Sequence, residues 1–375
     1  MKYSFCFLLT SFLIYSFNCS FQSAIFNHMN KGKIGENLII SPLSIFQVLS
    51  LAANGAKEET LEQMLDVLQY DDLEELNEVN FEILESVQKF STVSIANAVM
   101  TRFTPLKSFI EILKEYSAPI EPLISEKQVN NWVSEKTHGK IDKIIDKLTD
   151  DDLMILINAV YFKGKWSLQF NKRSTEKLPF YNLGKEEKEV DTMKQTEHFQ
   201  YYEDENVKAI SLRFKKDYMS AIIILPTKGI DINEYIETLA NSEEEYSKII
   251  DGLKSVKVRL QLPKFEVDFS ETLNEVLKDL GMTEAFNSLT ADFTGIRKQG
   301  NLFISEAIHK TYLKVNEEGT EAAAVTAIRM KRGARIGMPE KIYEMKVDRP
   351  FLFLLKNDKF PEGHDLLFMS KIEKL

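Results

Sequence analysis

Cysteine is nearly absent from this 375-residue chain: Cys6 and Cys19 are all there is, both near the N-terminus. Two thiols cannot build a disulfide framework, and no C-x-x-C spacing is present to hold zinc. The five histidines are scattered, none at i, i+4 spacing beside a glutamate, so no metal site is expected. The phosphate-binding and dinucleotide-binding glycine patterns are missing, and so is the G-x-S-x-G nucleophile elbow. No cofactor and no ordinary enzyme chemistry is therefore expected. Positive charge is also in short supply, with a formal net charge of −10 and a pI near 5.3. That balance excludes a nucleic-acid binder, whose affinity for phosphates rests on excess Lys and Arg. No repeat, low-complexity tract or Pro/Gly/Ser linker interrupts residues 20–325, which argues for one continuous domain.

Long apolar runs are absent except at the start, where Lys2 precedes "YSFCFLLTSFLIYSF". That run is short of the roughly 20 apolar residues of a membrane span, and no membrane partner is expected. A charged start, an apolar middle and small residues near the end fit a signal peptide over 1–16, cut near Ser16. Residues 17–375 would then be the mature, secreted domain. The alternative is a buried first helix of a cytosolic protein.

What the chain does hold is a core, with 44% apolar residues. Residues 20–29 and 44–68 have helical spacing of apolar side chains, the second broken near Gly55. Thr60 with Gln63 has the form of a capping box for the second piece. The acidic stretch 71–86 predicts a solvated helix, and 129–138 and 271–281 predict two more. Segments 93–101, 152–166, 218–226, 256–269 and 350–356 are strand-like, several apolar on both faces. They imply a large sheet covered on both sides in a mixed α and β architecture.

Two neighbouring stretches stand apart. In "NEEGTEAAAVTAIRMK" (316–331) the residues after Gly319 are small or β-branched. In an extended strand, Thr320, Ala322, Ala324, Thr326, Ile328 and Met330 would form one uncharged face. Three alanines in a row are poor strand formers, so a flexible linker also fits. The stretch runs into "AIRMKRGARIG" (327–337), where Arg329, Lys331, Arg332 and Arg335 crowd together in an acidic protein.

"NLIISPLSI" (37–45), "NAVYFKGKWSLQF" (158–170), "LQLPKFEVD" (260–268), "ADFTGI" (291–296), "ISEAIHKTYLKVNEEGTEAAA" (304–324) and "RPFLFLL" (349–355) closely resemble motifs of the serpin family, in its order and spacing. The resemblance covers the chain from about residue 18 to the C-terminus. It implies an α+β serpin fold of three β-sheets and eight to nine helices, with an exposed reactive-centre loop over about 317–340. It further implies a hinge at Glu317, Glu318, Gly319, Thr320, Glu321, Ala322, Ala323 and Ala324, from which the loop inserts into the central sheet. Loop insertion of this kind is a known switching transition. Ser41, Ser44, Asn158 and His309 match the family's polar cluster beneath the sheet opening, while Trp166 and Phe170 match the point where the hinge enters. The alternative for His309, a Ser-His-Asp general base, lacks a nucleophile elbow.

The resemblance makes the chain an inhibitor, not an enzyme. A serine protease would cut the loop and be trapped in a covalent 1:1 complex with a monomeric inhibitor. Counting from Gly319 in the commonest family spacing puts Gly333 before the cut. A loop shorter by one residue puts Arg332 there, with Gly333 after it. Arg332 is the expected bait because a guanidinium suits the acidic base of a trypsin-like pocket; Lys331 and Arg335 are the alternatives. Arg329-Met330-Lys331-Arg332 also fits the pattern cut by furin-like convertases, and a polyanion site is a third use for the run. A non-inhibitory carrier, storage or chaperone serpin is the rival from another class. Bulky, charged or proline residues on the buried hinge face would favour that rival, and they are absent.

Overall fold

The computed structural model describes residues 20–375 except 88–89, 300–301, 321–339 and 362. The first part of the chain is helical, with α1 (Phe21–Lys31), β1 (Leu38–Ile40), α2 (Pro42–Ala53), α3 (Glu58–Leu68) and α4 (Leu73–Val87). Then come β2 (Val93–Thr101), α5 (Lys107–Glu115), β3 (Ile120–Pro122), α6 (Glu126–Lys136) and β4 (Met154–Phe162). The middle is mostly strand: β5 (Glu176–Asn182), β6 (Glu186–Glu203), β7 (Val207–Arg213) and β8 (Met219–Pro226). After α7 (Ile232–Asn241) and α8 (Glu243–Gly252) follow β9 (Lys254–Pro263), β10 (Phe265–Thr272) and α9 (Asn274–Asp279). The chain closes with β11 (Glu306–Val315), β12 (Ile342–Lys346), β13 (Phe351–Asn357) and β14 (Leu366–Ile372).

Strands hydrogen-bond into two sheets, where three were expected. One has five strands in the order β10-β11-β4-β2-β3; the other has nine, with β5 joined to β6 beside the path β1-β14-β13-β8-β7-β6-β9-β12. The physical reason is β6, 18 residues long. Its first part pairs with β5, its middle with β9 and its end with β7, so two lobes share one strand and count as one ladder. The helix expectation holds, with nine α-helices among the described residues.

Pattern explains most of the layering. All nine residues of β4 are buried, as expected of an apolar strand covered on both faces. Helix α6 packs Val129, Trp132 and Val133 against Ile155, Ile157 and Ala98 on one face of the five-stranded sheet. Helix α2, buried along its whole length, lies against the other face. At the sheet's edge, β10 alternates buried and exposed residues from Phe265 to Ser270.

Three local expectations differ from the outcome. The segment 256–269 is not one strand: β9 ends at Pro263, which has no N–H to continue the ladder, and β10 leaves for the other sheet. Thr60 and Gln63 form no capping box, because α3 begins at Glu58. Thr60 Oγ1 instead accepts from Asp292 N at 2.9 Å, and Gln63 Oε1 accepts from Thr283 N and Glu284 N. Helix α4 is not solvated all round, since Leu76, Asn80 and Ile83 are buried.

Candidate functional site

The site lies along the seam between β4 and β11, parallel neighbours paired from Ile155–Glu306 to Tyr161–Tyr312. At its middle Asn158 stands opposite His309, and the Pro42 that opens α2 brings Ser41 and Ser44 beneath them. Ser41 N donates to His309 Nε2 at 3.1 Å, and His309 Nδ1 meets Asn158 Oδ1. Ser44 Oγ donates to the same Asn158 oxygen at 2.9 Å and also reaches Ser41 O at 3.1 Å. With Nε2 accepting from a backbone N–H, the network assigns the imidazole proton to Nδ1. Complete burial pushes the His309 pKa down to about 3, so the ring is neutral at physiological pH. Both ring nitrogens are occupied by a backbone amide and a side-chain amide oxygen. No hydroxyl sits on the ring, and the triad alternative finds no geometry here.

The four residues singled out from the sequence are thus in one buried cluster, and the structure adds two. Asn97 on β2 accepts from Asn158 Nδ2 at 2.5 Å, and Gln47 approaches Asn97 at 3.5 Å. Asn97 is the one amide in β2, a strand otherwise of apolar and hydroxyl residues, which is the signal that could have found it.

At its upper end the seam opens. β11 runs into a turn in which Asn316 N donates to Gly319 O at 2.8 Å, and the chain then folds onto the segment after β4. Trp166 N donates to Glu318 O and Phe170 N to Glu317 O, each at 2.9 Å, and Trp166 Nε1 donates to Asn316 O at 2.9 Å. Thr320 N donates to Gly164 O at 2.7 Å, and Thr320 Oγ1 accepts from Gly164 N at 2.6 Å. Thr320 is 1% exposed. Gly319 has φ +140°, and a Cβ there would lie 2.0 Å from Gly164 O, so only glycine fits. Trp166 stacks on Phe214 with ring centroids 4.3 Å apart, giving the hinge a rigid floor.

Glu317 and Glu318 are buried yet partnered by cations that sequence reasoning missed. Glu317 Oε1 accepts from Thr175 Oγ1 at 2.8 Å and lies 3.3 Å from Lys264 Nζ. Burial raises the Glu317 pKa, but its own backbone amide, Thr175 and Lys264 outweigh that and hold the group below its ordinary value. Glu318 Oε1 pairs with Lys172 Nζ at 2.5 Å, and this bond raises the lysine pKa. Beyond the loop, Glu340 is tied to His198 Nε2 at 2.7 Å and to Lys257 at 3.6 Å, a far anchor that no motif announced. Glu321, Ala322, Ala323, Ala324, Arg329, Lys331, Arg332, Gly333 and Arg335 lie outside the described residues.

Comparison with known proteins places this geometry in a lineage. The family model described as Serpin (serine protease inhibitor) matches residues 16–375. A leukocyte elastase inhibitor from Xenopus laevis is 34% identical over 357 residues, covering 89% of this chain and 93% of that protein. Intracellular coagulation inhibitor 2 from Tachypleus tridentatus is 33% identical, covering 91% of this chain and 86% of its own. The native-state crystal structure of tengpin, a thermophilic serpin, superposes with a TM-score of 0.85 at 33% identity, covering 96% of this chain and 93% of that one. The chain belongs to the serpin family of serine protease inhibitors.

Proposed function

We propose that the chain is an irreversible suicide-substrate inhibitor of serine proteases with trypsin-like, Arg-directed specificity. A target protease attacks the carbonyl of Arg332, and the acyl-enzyme is trapped as the cut loop enters the five-stranded sheet between β4 and β11. The chemistry of nucleophilic attack belongs to the protease, and this chain is its substrate. One observation carries the reading: β11 leads straight into a hinge whose Thr320 is seated and buried at the open end of that seam. Ala322, Ala323 and Ala324 would follow Thr320 into the seam with little bulk and no charge to desolvate. The uncut form is then held kinetically, by a barrier rather than by equilibrium. The Ser41, Ser44, Asn158 and His309 cluster would be the catch at the middle of the seam, and Glu317 to Gly319 the catch at its end.

Arg329, Lys331 and Arg335 flank the bait as specificity contacts. The relative from Xenopus laevis is named for elastase, but target choice rests on the loop, and this loop is basic. A second reading rests on Arg329-Met330-Lys331-Arg332, the pattern suited to a furin-like convertase with an acidic subsite for each base.

Secretion is part of the proposal. Ser20 Oγ caps α1 by accepting from Ser23 N, and a cut near Ser16 falls upstream of that cap. The relative from Tachypleus tridentatus is named intracellular. N-terminal sequencing of protein collected from expression medium separates the two placements: a start at Phe17 supports secretion, and retention in the cell with Met1 in place removes it.

The inhibitor reading is tested by incubation with trypsin followed by a denaturing gel. A band of the summed mass that resists SDS is expected, with a released peptide beginning at Gly333. Simple cutting with no complex and no gain in heat stability sinks the inhibitor reading. A peptide beginning at Ala334 or Ile336 moves the bait to Gly333 or Arg335.

A further inference from the structure

Where β8 ends at Pro226, the turn between β5 and β6 and the residues after β14 close around a cleft of about 470 Å³. That volume lies in the range of small-molecule sites. None of the lining residues belongs to the seam or to the hinge. The walls are largely apolar: Tyr181, Pro226, Ile230, Ile232 and Pro350 line them, together with Ile34, which is 70% exposed.

The acids of the cleft are each engaged. Asp231 Oδ1 caps α7, accepting from Asn233 N at 2.8 Å and from Glu234 N at 3.4 Å. Buried Glu373 pairs with Lys371 Nζ at 2.8 Å, and that ammonium also donates to Lys33 O and Asn233 Oδ1. Arg349 is committed as well, through Nη1 to Asp348 at 2.8 Å and through Nε to Pro226 O at 3.0 Å. Lys185 and Lys228 differ. Both line the cleft, both are exposed, and neither is in an ion pair among the described residues. In a chain of net charge −10, the unanswered charge here is positive and sits beside apolar walls.

The backbone at Leu183 is an independent observation. In the two-residue turn joining β5 to β6, Leu183 has φ +52° and Gly184 has φ +70°. Such a turn favours Asn or Asp before the glycine, and a bulky side chain is an outlier in the left-handed region. Leu183 N donates to Glu373 O at 2.9 Å, which holds the turn against the end of the chain, and Leu183 lines the cleft. A strained residue kept where an unstrained one would fit points to a use beyond folding.

We propose that the cleft binds an amphipathic carboxylate, a fatty acid of medium chain length. Its alkyl chain packs on Leu183, Ile34 and Ile232, and its carboxylate meets Lys185 and Lys228. Burial of apolar area supplies the attraction, and the two ammonium groups select the head. A ligand with a cationic head is disfavoured, because each carboxylate of the cleft already has its partner.

Decanoate is the probe, titrated by calorimetry into the intact protein with no protease present, so the outcome is independent of the inhibitor reading. Wild-type protein is expected to bind it with a dissociation constant below about 1 mM. Lys185→Ser with Lys228→Ser should weaken binding about tenfold, whereas Lys185→Arg with Lys228→Arg should keep it. Leu183→Asn suits the turn, so it should unfold at the same or a higher temperature while binding decanoate about threefold more weakly. Decan-1-ol should bind more weakly than decanoate and be indifferent to the two lysines, and decyltrimethylammonium should not bind. Absence of wild-type binding, equal affinity for the alcohol, or decanoate binding that survives both the double serine variant and Leu183→Asn would overturn the proposal.

Discussion

The two sheets are joined at their centres by opposite means. In the nine-stranded sheet, β8, β13 and β14 meet through Ile222, Ile223, Ile224, Phe353, Leu354 and Phe368, all at most 2% exposed. In the five-stranded sheet, the parallel seam of β4 and β11 meets through Asn158 and His309 over Ser41 and Ser44. Parting an apolar joint exposes surface at about 25 cal/mol per Å². Parting a polar joint exchanges hydrogen bonds, each worth only about 1 kcal/mol net. The proposed insertion requires this difference: one sheet that stays shut and one whose middle can be rebuilt around a new strand. The sharpest way to break that contrast is to forbid the new strand. Thr320→Arg places a charge where a residue is 1% exposed and hydrogen-bonded to Gly164. The expected result with trypsin is a cut protein and no SDS-resistant complex; undiminished complex formation would mean that Thr320 does not travel into the seam.

Next in size are paired substitutions, one per sheet. Phe353→Ala removes a fully buried ring from the nine-stranded core and is expected to cost about 3–5 kcal/mol in a denaturant titration. Asn158→Ala strips partners from Ser44 Oγ and His309 Nδ1 and is expected to cost about 1–3 kcal/mol. The informative measurement is hydrogen exchange. Asn158→Ala should accelerate exchange of β4 and β11 amides while leaving β13 and β14 protected. Equal acceleration in both sheets would show that the seam is not separately adjustable.

The contrast also predicts a pH dependence. Burial lowers the pKa of His309 to about 3 and that of His364, in the turn before β14, to about 4. Both lie below the unfolded value of about 6.5. As pH falls, the unfolded chain takes up these protons first, so the native state is favoured fully above about 6.5 and progressively less below it. Each histidine contributes a loss of about 1.4 kcal/mol per pH unit, down to about 4 for His364 and about 3 for His309. Thermal midpoints are expected to fall between pH 7 and 5, and His309→Gln should remove roughly half of that slope. A variant with the wild-type slope would place the acid sensitivity outside the seam.

How much of this was legible in the sequence depended on how far apart the partners lie. Strands β4, β8 and β13 were visible because apolar runs buried on both faces need no partner to be recognised. β6 was not: "EEKEVDTMKQTEHFQYYE" is largely polar, and its pairing with three different strands holds it extended. Thr60 and Gln63 have the spacing of a cap, yet each is bound to a loop more than 200 residues away. Ser41 and His309 are 268 positions apart, so only the family resemblance could bring them together in advance. Lys172 and Lys264 were missed for the same reason. Nothing local marks a lysine as the partner of a distant hinge carboxylate.

The smallest expected effect concerns that hinge. Lys172 is 60% exposed along its side chain, whereas Glu318 is 8% exposed, and its Oε2 has no hydrogen-bond partner among the described residues. Removing the lysine therefore leaves a buried carboxylate dependent on whatever water reaches it, while Glu317 keeps Thr175 and Lys264 and Thr320 keeps Gly164. Lys264→Ala is milder for its own carboxylate, because Glu317 keeps the Thr175 hydroxyl. Lys172→Ala should thus loosen the hinge more than Lys264→Ala and speed trypsin trapping slightly. An exposed lysine is screened by salt, so the two variants and the wild type should converge as ionic strength approaches roughly 1 M. If the Lys172 variant differs from wild type by the same factor at low and high salt, the Lys172 effect is one of packing and the ion pair is not what steadies the hinge.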